Sequence, residues 1–243
     1  MRVRALVAYD GTDFHGWSRQ PGEVATVQGV IESTMQTVLG ERVRLTVAGR
    51  TDAGVHAWGQ VVSADLGDDT DVERLKRSVN ALCGPVIAVR GIMPTAPEFS
   101  ARFDARARRY VYRIATAPFR DPFAWRYQWQ AGSELEIDAM RAASEPLVGE
   151  HDFASFCKVR SYGGSIRRVT EIEVIPHGNA VEIWVEAQSF AHQMVRSLAG
   201  FLCDVGRGRR RAAEAAEVLA ACDPQANSNV APPRGLTLWH VSY

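Results

Sequence analysis

Asp52 is the side chain in this sequence best placed to do chemistry. It lies in Val47-Ala48-Gly49-Arg50-Thr51-Asp52-Ala53-Gly54-Val55-His56-Ala57-Trp58-Gly59-Gln60, bracketed by Gly49 and Gly54 and two residues after Arg50. A carboxylate on a tight turn beside a guanidinium stays ionised near neutral pH. It is then available as a nucleophile or a base. The same aspartate could equally shape the turn by bonding to its own backbone, and from this stretch alone both readings stand. No second carboxylate and no metal-ligand spacing accompanies it, which counts against an aspartate-dependent hydrolase.

Three further groups carry chemical potential. Arg108-Arg109-Tyr110-Val111-Tyr112-Arg113-Ile114 alternates as a strand, with Tyr110, Tyr112 and Ile114 on one face. An aromatic flanked by arginines on a strand suits base stacking and phosphate contact; the other reading is a core tyrosine whose hydroxyl finds a partner, preferred for Tyr112. Lys158 to Arg168 is basic around Gly163-Gly164 and contains Arg160 and Arg167. It is either a mobile loop gripping phosphates or a solvated surface loop. Arg196 adjoins an apolar stripe of Met194, Val195, Leu198, Phe201, Leu202 and Val205. It either snorkels or is buried against a carboxylate.

The elements that must position these groups follow from periodicity. Val3 to Tyr9 reads as a strand leading into a polar, aromatic loop that ends near Gln20. Thr26 to Leu39 reads as a helix capped by Thr26 and stopped by Gly40. Val43, Leu45 and Val47 alternate as a half-buried strand before the Asp52 turn. Thr70 and Glu73 have capping-box spacing ahead of a helical stripe at Val72, Leu75, Val79 and Leu82. Gly84-Pro85 ends it, and Val86 to Ile92 is a strand. That β-α-β-β-α-β order is a split arrangement in which an antiparallel sheet carries helices on one face. Beyond it come an aromatic-rich loop at Arg120 to Gln130 and a helix from Asp138 to Val148 that Pro146 cuts short. A hairpin turns at Pro176-His177-Gly178-Asn179. Helices are expected at Ser189 to Val205 and Arg207 to Ala221, then a last strand to Tyr243.

Composition adds exclusions. The 243 residues are 46% hydrophobic and 23% charged, an ordinary globular balance. No apolar run approaches the ~20 residues of a membrane span, and no secretory signal is read at the N-terminus, so a cytoplasmic protein is expected. The four cysteines, Cys83, Cys157, Cys203 and Cys222, are widely spaced and fit reduced packing residues. Net charge is zero, with 28 basic and 28 acidic residues, which does not advertise a nucleic-acid binder. Nearly all the positive charge is arginine, the better residue for phosphate forks and stacking.

The run Ala48 to Ala57 with Gly59-Gln60-Val61 resembles the active-site motif of the tRNA pseudouridine synthase A (TruA) family. Tyr9 to Gln20 resembles its first motif, departing at Ser18, where glutamine is more usual. Phe99 to Ile114, His151 to Phe156, Phe190 to Gly206 and the C-terminal stretch from Ala231 also resemble it, in order along the chain. The resemblance implies an α+β fold: two ferredoxin-like, RRM-like units forming one continuous, mostly antiparallel sheet, with helices on one face and the active cleft between the units. Domains of 1–104, carrying the aspartate, and 105–243 are expected. It implies conversion of uridine to pseudouridine in the tRNA anticodon stem-loop, at positions 38 to 40, without a cofactor. Asp52 is then the nucleophile and Arg196 its ion-pair partner. Tyr110 stacks on the target uracil and helps remove the C5 proton. Arg50 fills the place of the flipped nucleotide or holds its phosphate. Phe99, Arg102, Phe103, Arg160 and Arg167 are the remaining expected RNA contacts. The partners expected are tRNA and a second copy of the chain. The competing class is a catalytically silent RNA-binding module of the same fold.

Overall fold

Alternating apolar residues open the chain as a strand, and each later switch of period produces the next element. The computed structural model describes residues 1–132, 134–158 and 164–243. The elements are β1 (Arg2–Tyr9), α1 (Val27–Leu39), β2 (Thr46–Val47), β3 (His56–Asp65), α2 (Val72–Cys83), β4 (Ile87–Pro94), β5 (Ala107–Ala115), β6 (Trp129–Gln130), α3 (Ile137–Ser144), β7 (Gly149–Asp152), β8 (Ile166–His177), β9 (Ala180–Ala187), α4 (Met194–Gly206), α5 (Glu214–Ala221) and β10 (Leu236–Ser242). Among the described residues no helix is long and apolar enough to cross a membrane.

The chain divides into two compact units, Met1–Arg106 with Thr237–Tyr243, and Ala107–Leu236. The division differs from a simple cut after residue 104 because the C-terminal strand belongs with the first unit. β10 runs parallel to β3, pairing Thr237 with His56 and Leu238 with Ala57. Gly59 is required there: a Cβ would stand 2.1 Å from the Trp239 carbonyl oxygen. Trp58 and Trp239 stack with centroids 5.9 Å apart, and Tyr243 donates to the Ala101 carbonyl at 2.8 Å.

In the first unit the strand order is β4-β1-β3-β10, with β2 also on β3. β1 is antiparallel to both neighbours. Ile31 and Met35 of α1 and Val79 of α2 enclose one small apolar cavity with Val7, Val62 and Val89, so both helices cover the same face of these strands. The Thr26 side chain accepts from the Gly29 N–H, and Gly40 closes α1 at φ 75°, both as expected. At α2 the cap is Asp71, which accepts from Arg74, not Thr70. Leu82 is 61% exposed; Cys83, one position on, takes the buried place expected of it.

In the second unit the order is β5-β9-β8-β7, with β6 parallel to β5. The β8–β9 hairpin turns on Gly178-Asn179 alone, since His177 already pairs with Ala180. α3 packs on α4 and β8, and α4 on β5. Two helices start later than their sequence suggests. Gln193 has φ 64°, a left-handed angle that no helix continues, so α4 begins at Met194 rather than near Ser189. Gly208 at φ 67° breaks the arginine run, and both Arg209 and Arg210 donate backbone N–H groups to the Asp204 carbonyl. That run is therefore a turn, and α5 begins at Glu214. Cys83, Cys157 and Cys203 are buried and Cys222 is exposed, all as free thiols. Burial pushes the Cys203 thiol up to about 11.

Candidate active site

Asp52 lies between β2 and β3, half-buried, with Arg50 exposed and Thr51 buried beside it. The turn has backbone ties on both sides of the aspartate. Trp17 N–H donates to the Thr51 carbonyl at 3.1 Å, Val55 N–H to the Asp52 carbonyl at 3.2 Å, and Gly54 N–H to the Phe14 carbonyl at 3.2 Å. The loop after β1 thus seats the turn. Two glycines in that loop permit the approach. A Cβ on Gly11 would lie 2.0 Å from the Val55 carbonyl oxygen; one on Gly16, at φ +90°, would lie 2.8 Å from the Thr51 oxygen.

From the buried side, Tyr9 and Gln60 complete the hold. Tyr9 Oη and Thr51 Oγ1 are 2.7 Å apart. Gln60, fully buried, donates through Nε2 to the Gly49 carbonyl at 2.6 Å and more weakly to Tyr9 Oη at 3.4 Å. Its Oε1 accepts from Val61 N–H at 3.2 Å, which fixes the orientation of the amide. Burial pushes the Tyr9 hydroxyl up to about 12, against the opposing pull of its hydrogen bonds to Thr51 and Gln60. His56 Nδ1 accepts from the Gly11 N–H at 3.0 Å and also lies 3.2 Å from Asp10 Oδ1. One nitrogen cannot accept from the amide while donating to the carboxylate. An Nδ1 without a proton takes the amide, and one that carries a proton faces the carboxylate.

The other expected RNA contacts of the first unit lie on the turn after β4. Phe99 is half-buried against Tyr243, with centroids 5.0 Å apart. Arg102 and Phe103 project together, the guanidinium carbon 5.2 Å from the ring centroid and Phe103 78% exposed. Ser100 N–H donates to Asp104 Oδ2 at 2.9 Å and closes the turn.

In the second unit Tyr110 stands on β5 opposite Val185 and meets Phe190 edge-on at 5.1 Å. It is only 7% exposed, so a base stacking there must displace part of its cover. The arginines around it are engaged within the protein. Arg108 donates to the Gln188 carbonyl at 2.5 Å, Arg109 bridges Glu173 at 2.5 Å and Glu171 at 3.2 Å, and Arg113 holds Glu182 at 2.7 Å. Tyr112 is core, as its pattern suggested. It is fully buried, its hydroxyl donates to the Pro232 carbonyl at 2.8 Å, and burial raises its pKa. Arg196 sits in the first turn of α4 and its Nε donates to the Ala231 carbonyl at 2.8 Å. Arg167 is on β8, paired with His151, rather than in a loop; Arg160 lies outside the described residues.

The sequence pointed to Asp52, Arg50 and the loop after β1. It did not single out Tyr9, Thr51 and Gln60, although the glycines flanking them signalled close backbone approach. Among the described residues no group of histidine, cysteine and carboxylate could hold a metal ion.

Comparison with known proteins gives a consistent result. The sequence model of the tRNA pseudouridine synthase family matches residues 5–104 and 143–243. A tRNA pseudouridine synthase A of Brevibacillus brevis is 40% identical over 243 residues, covering 100% of this chain and 99% of that protein. One of Frankia casuarinae is 44% identical over 246 residues, covering 100% and 89%. One of Brucella ovis is 41% identical over 251 residues, covering 100% and 98%. Matched through both units and along the length of these relatives, the chain belongs to the tRNA pseudouridine synthase family and is a pseudouridine synthase, an isomerase.

Proposed function

We propose that this isomerase converts uridine to pseudouridine in the anticodon stem-loop of tRNA, at positions 38 to 40, with Asp52 as nucleophile. The observation that carries the reading is the seating of Asp52: a half-buried carboxylate on a turn whose backbone is tied at Gly49, Thr51, Asp52 and Gly54. Such restraint serves attack on a bound nucleotide, at C6 of the base or C1′ of the sugar, because a small displacement of a reacting group costs much of the rate. The reaction detaches uracil from C1′, rotates it and rejoins it through C5. It is redox-neutral and calls for no cofactor.

The remaining roles follow from the family resemblance. Arg196 pairs with Asp52 and keeps it ionised and oriented. Tyr110 stacks on the flipped uracil and assists loss of the C5 proton. Arg50, exposed two residues before Asp52, takes the place of the flipped nucleotide or holds its phosphate. Flipping costs a few kcal/mol, which binding must offset. The projecting Arg102–Phe103 pair suits that task, with Phe99, Arg160 and Arg167 as further contacts. The protein works as a homodimer in the cytoplasm.

Tritium release from tRNA labelled at uracil C5 tests the reading. The intact protein is expected to release tritium. Asp52→Asn, which keeps the shape and removes the charge, is expected to lose on the order of a thousandfold or more while still binding tRNA. Asp52→Asn as active as the intact protein would remove the nucleophile assignment.

A further inference from the structure

We propose that Tyr9, acting with Thr51 and Gln60, is a positioning residue for Asp52, holding the turn from its buried side. The proposal rests on the reading of Asp52 as the nucleophile. Three geometric facts carry it. Tyr9 is 5% exposed at the end of β1, and its hydroxyl oxygen is 2.7 Å from the hydroxyl of Thr51, the residue directly before Asp52. Gln60 is fully buried and holds the Gly49 carbonyl, so a single network grips the two residues Gly49 and Thr51 on the side of the turn that leads into Asp52. The Trp17 N–H holds the Thr51 carbonyl, leaving Thr51 bonded through backbone and side chain alike.

The hydrogen bonds also have a direction. Gln60 Oε1 is taken by the Val61 N–H, so Nε2 faces Tyr9 and Gly49 and can only donate. Tyr9 Oη therefore accepts from Gln60, and it shares a second hydrogen bond with Thr51 Oγ1, in which either hydroxyl can donate. Nothing in a stable core needs this arrangement. A phenylalanine would fill the space of Tyr9, and a valine that of Thr51, without burying three polar side chains. Their burial next to a nucleophile fits a requirement for orientation, in which polar partners fix one geometry where apolar packing would allow several.

The test is single-turnover tritium release from C5-labelled tRNA at saturating protein, with tRNA affinity and thermal stability measured on the same variants. Tyr9→Phe is expected to slow release by on the order of ten- to a hundredfold with tRNA affinity unchanged. Thr51→Val should do the same. The double variant should be no slower than either single one, because both remove one interaction. Thr51→Ser, which keeps the hydroxyl, should retain most of the rate. A purely structural role would lower the melting temperature and leave the rate per folded molecule intact; that result overturns the proposal, as does a double variant whose losses multiply. If Tyr9→Phe does not fold, Thr51→Ser against Thr51→Val gives the same decision. Asp52→Asn is run in parallel. No release by the intact protein would remove the Asp52 reading and this one with it. Release lost in Asp52→Asn but normal in Tyr9→Phe would remove the positioning role alone.

Discussion

The first unit carries two turns that resemble family motifs, both tied to the sheet, and they differ in how far they expose the side chains they carry. The turn around Asp52 follows β2 and is closed in by Tyr9, Gln60, Trp17, Phe14 and Val55. The turn from Phe99 to Asp104 follows β4; Ser100 and Asp104 close it, and Arg2, Ser63 and Tyr243 anchor the backbone of Phe99 and Ala101 from below. It turns Arg102 and Phe103 outward. A group that reacts must be fixed to a fraction of an ångström. A group that binds a flexible polyanion gains from reach and exposure. The contrast predicts that damage to the first turn appears in turnover and stability, and damage to the second in affinity.

The largest effect is expected at Gly11. Its Cβ would meet the Val55 carbonyl at 2.0 Å, a backbone atom with no rotamer to yield. Gly11→Ala should destabilise the fold by about 3 kcal/mol. It should also lower turnover per folded molecule, because Val55 N–H is bonded to the Asp52 carbonyl. Urea denaturation with tritium release measures both. Normal turnover in a folded Gly11→Ala protein would break the contrast. Gly91→Ala is the control, since nothing lies within 4 Å of a Cβ there.

The next effect is one of pH. Burial pushes Tyr9 up to about 12, whereas an unfolded tyrosine titrates near ~10. Below pH ~10 both states hold the proton and stability is independent of it. Above that the unfolded chain releases the proton and the folded one keeps it. Stability therefore falls by roughly 1.4 kcal/mol per pH unit until the folded pKa is reached. Tyr112 and the Cys203 thiol, also raised by burial, add slopes of the same sign. Tyr9→Phe should therefore remove one such slope, roughly 1.4 kcal/mol per pH unit, from the stability measured by urea midpoints between pH ~10 and ~11. An unchanged slope would mean that Tyr9 is not enclosed as described.

What the sequence disclosed follows the same division between local and distant causes. α1 was legible to the residue because Thr26 and Gly40 act on their own neighbours. The Asp52 turn was legible through its glycines. The grip upon it was not, since Tyr9 and Thr51 are 42 residues apart and Gln60 and Tyr9 are 51 apart. The parallel pairing of β10 with β3 is far more distant in sequence, joining Thr237 to His56, which is why the C-terminal strand reads as part of the second half. Gln193 misled for another reason. Glutamine is an ordinary helix residue, and only the surrounding structure holds it at φ 64°. The arginines beside Tyr110 read as phosphate contacts because strand periodicity cannot show the glutamates on neighbouring strands. Arg109 and Arg113 meet Glu171, Glu173 and Glu182 there.

For the outward turn the expected effects move to binding. Phe103 is 78% exposed, so Phe103→Ala should leave stability within about 0.5 kcal/mol. If its ring stacks on a base, tRNA affinity should fall by about 1–3 kcal/mol with the bound rate unchanged. Filter binding and saturating tritium release separate the two. A slower bound rate at normal affinity would place Phe103 with the chemistry and abolish the distinction between the turns.

The smallest effect tests the frame of that turn. Asp104 Oδ2 accepts from the Ser100 N–H at an exposed site, where water replaces a lost partner at little cost. Asp104→Ala should destabilise the protein by about 0.5–1 kcal/mol. The looser turn then has more freedom to lose when tRNA binds, so KM should rise by no more than about tenfold, the equivalent of about 1.4 kcal/mol. kcat should stay put, because the Thr51 hydroxyl is held by Tyr9, the Thr51 carbonyl by Trp17 and the Asp52 carbonyl by Val55. Urea midpoints and steady-state kinetics on the one variant decide the matter. A fall in kcat without a rise in KM would mean that the two turns are coupled, and that the exposed one has a share in setting the geometry of the carboxylate.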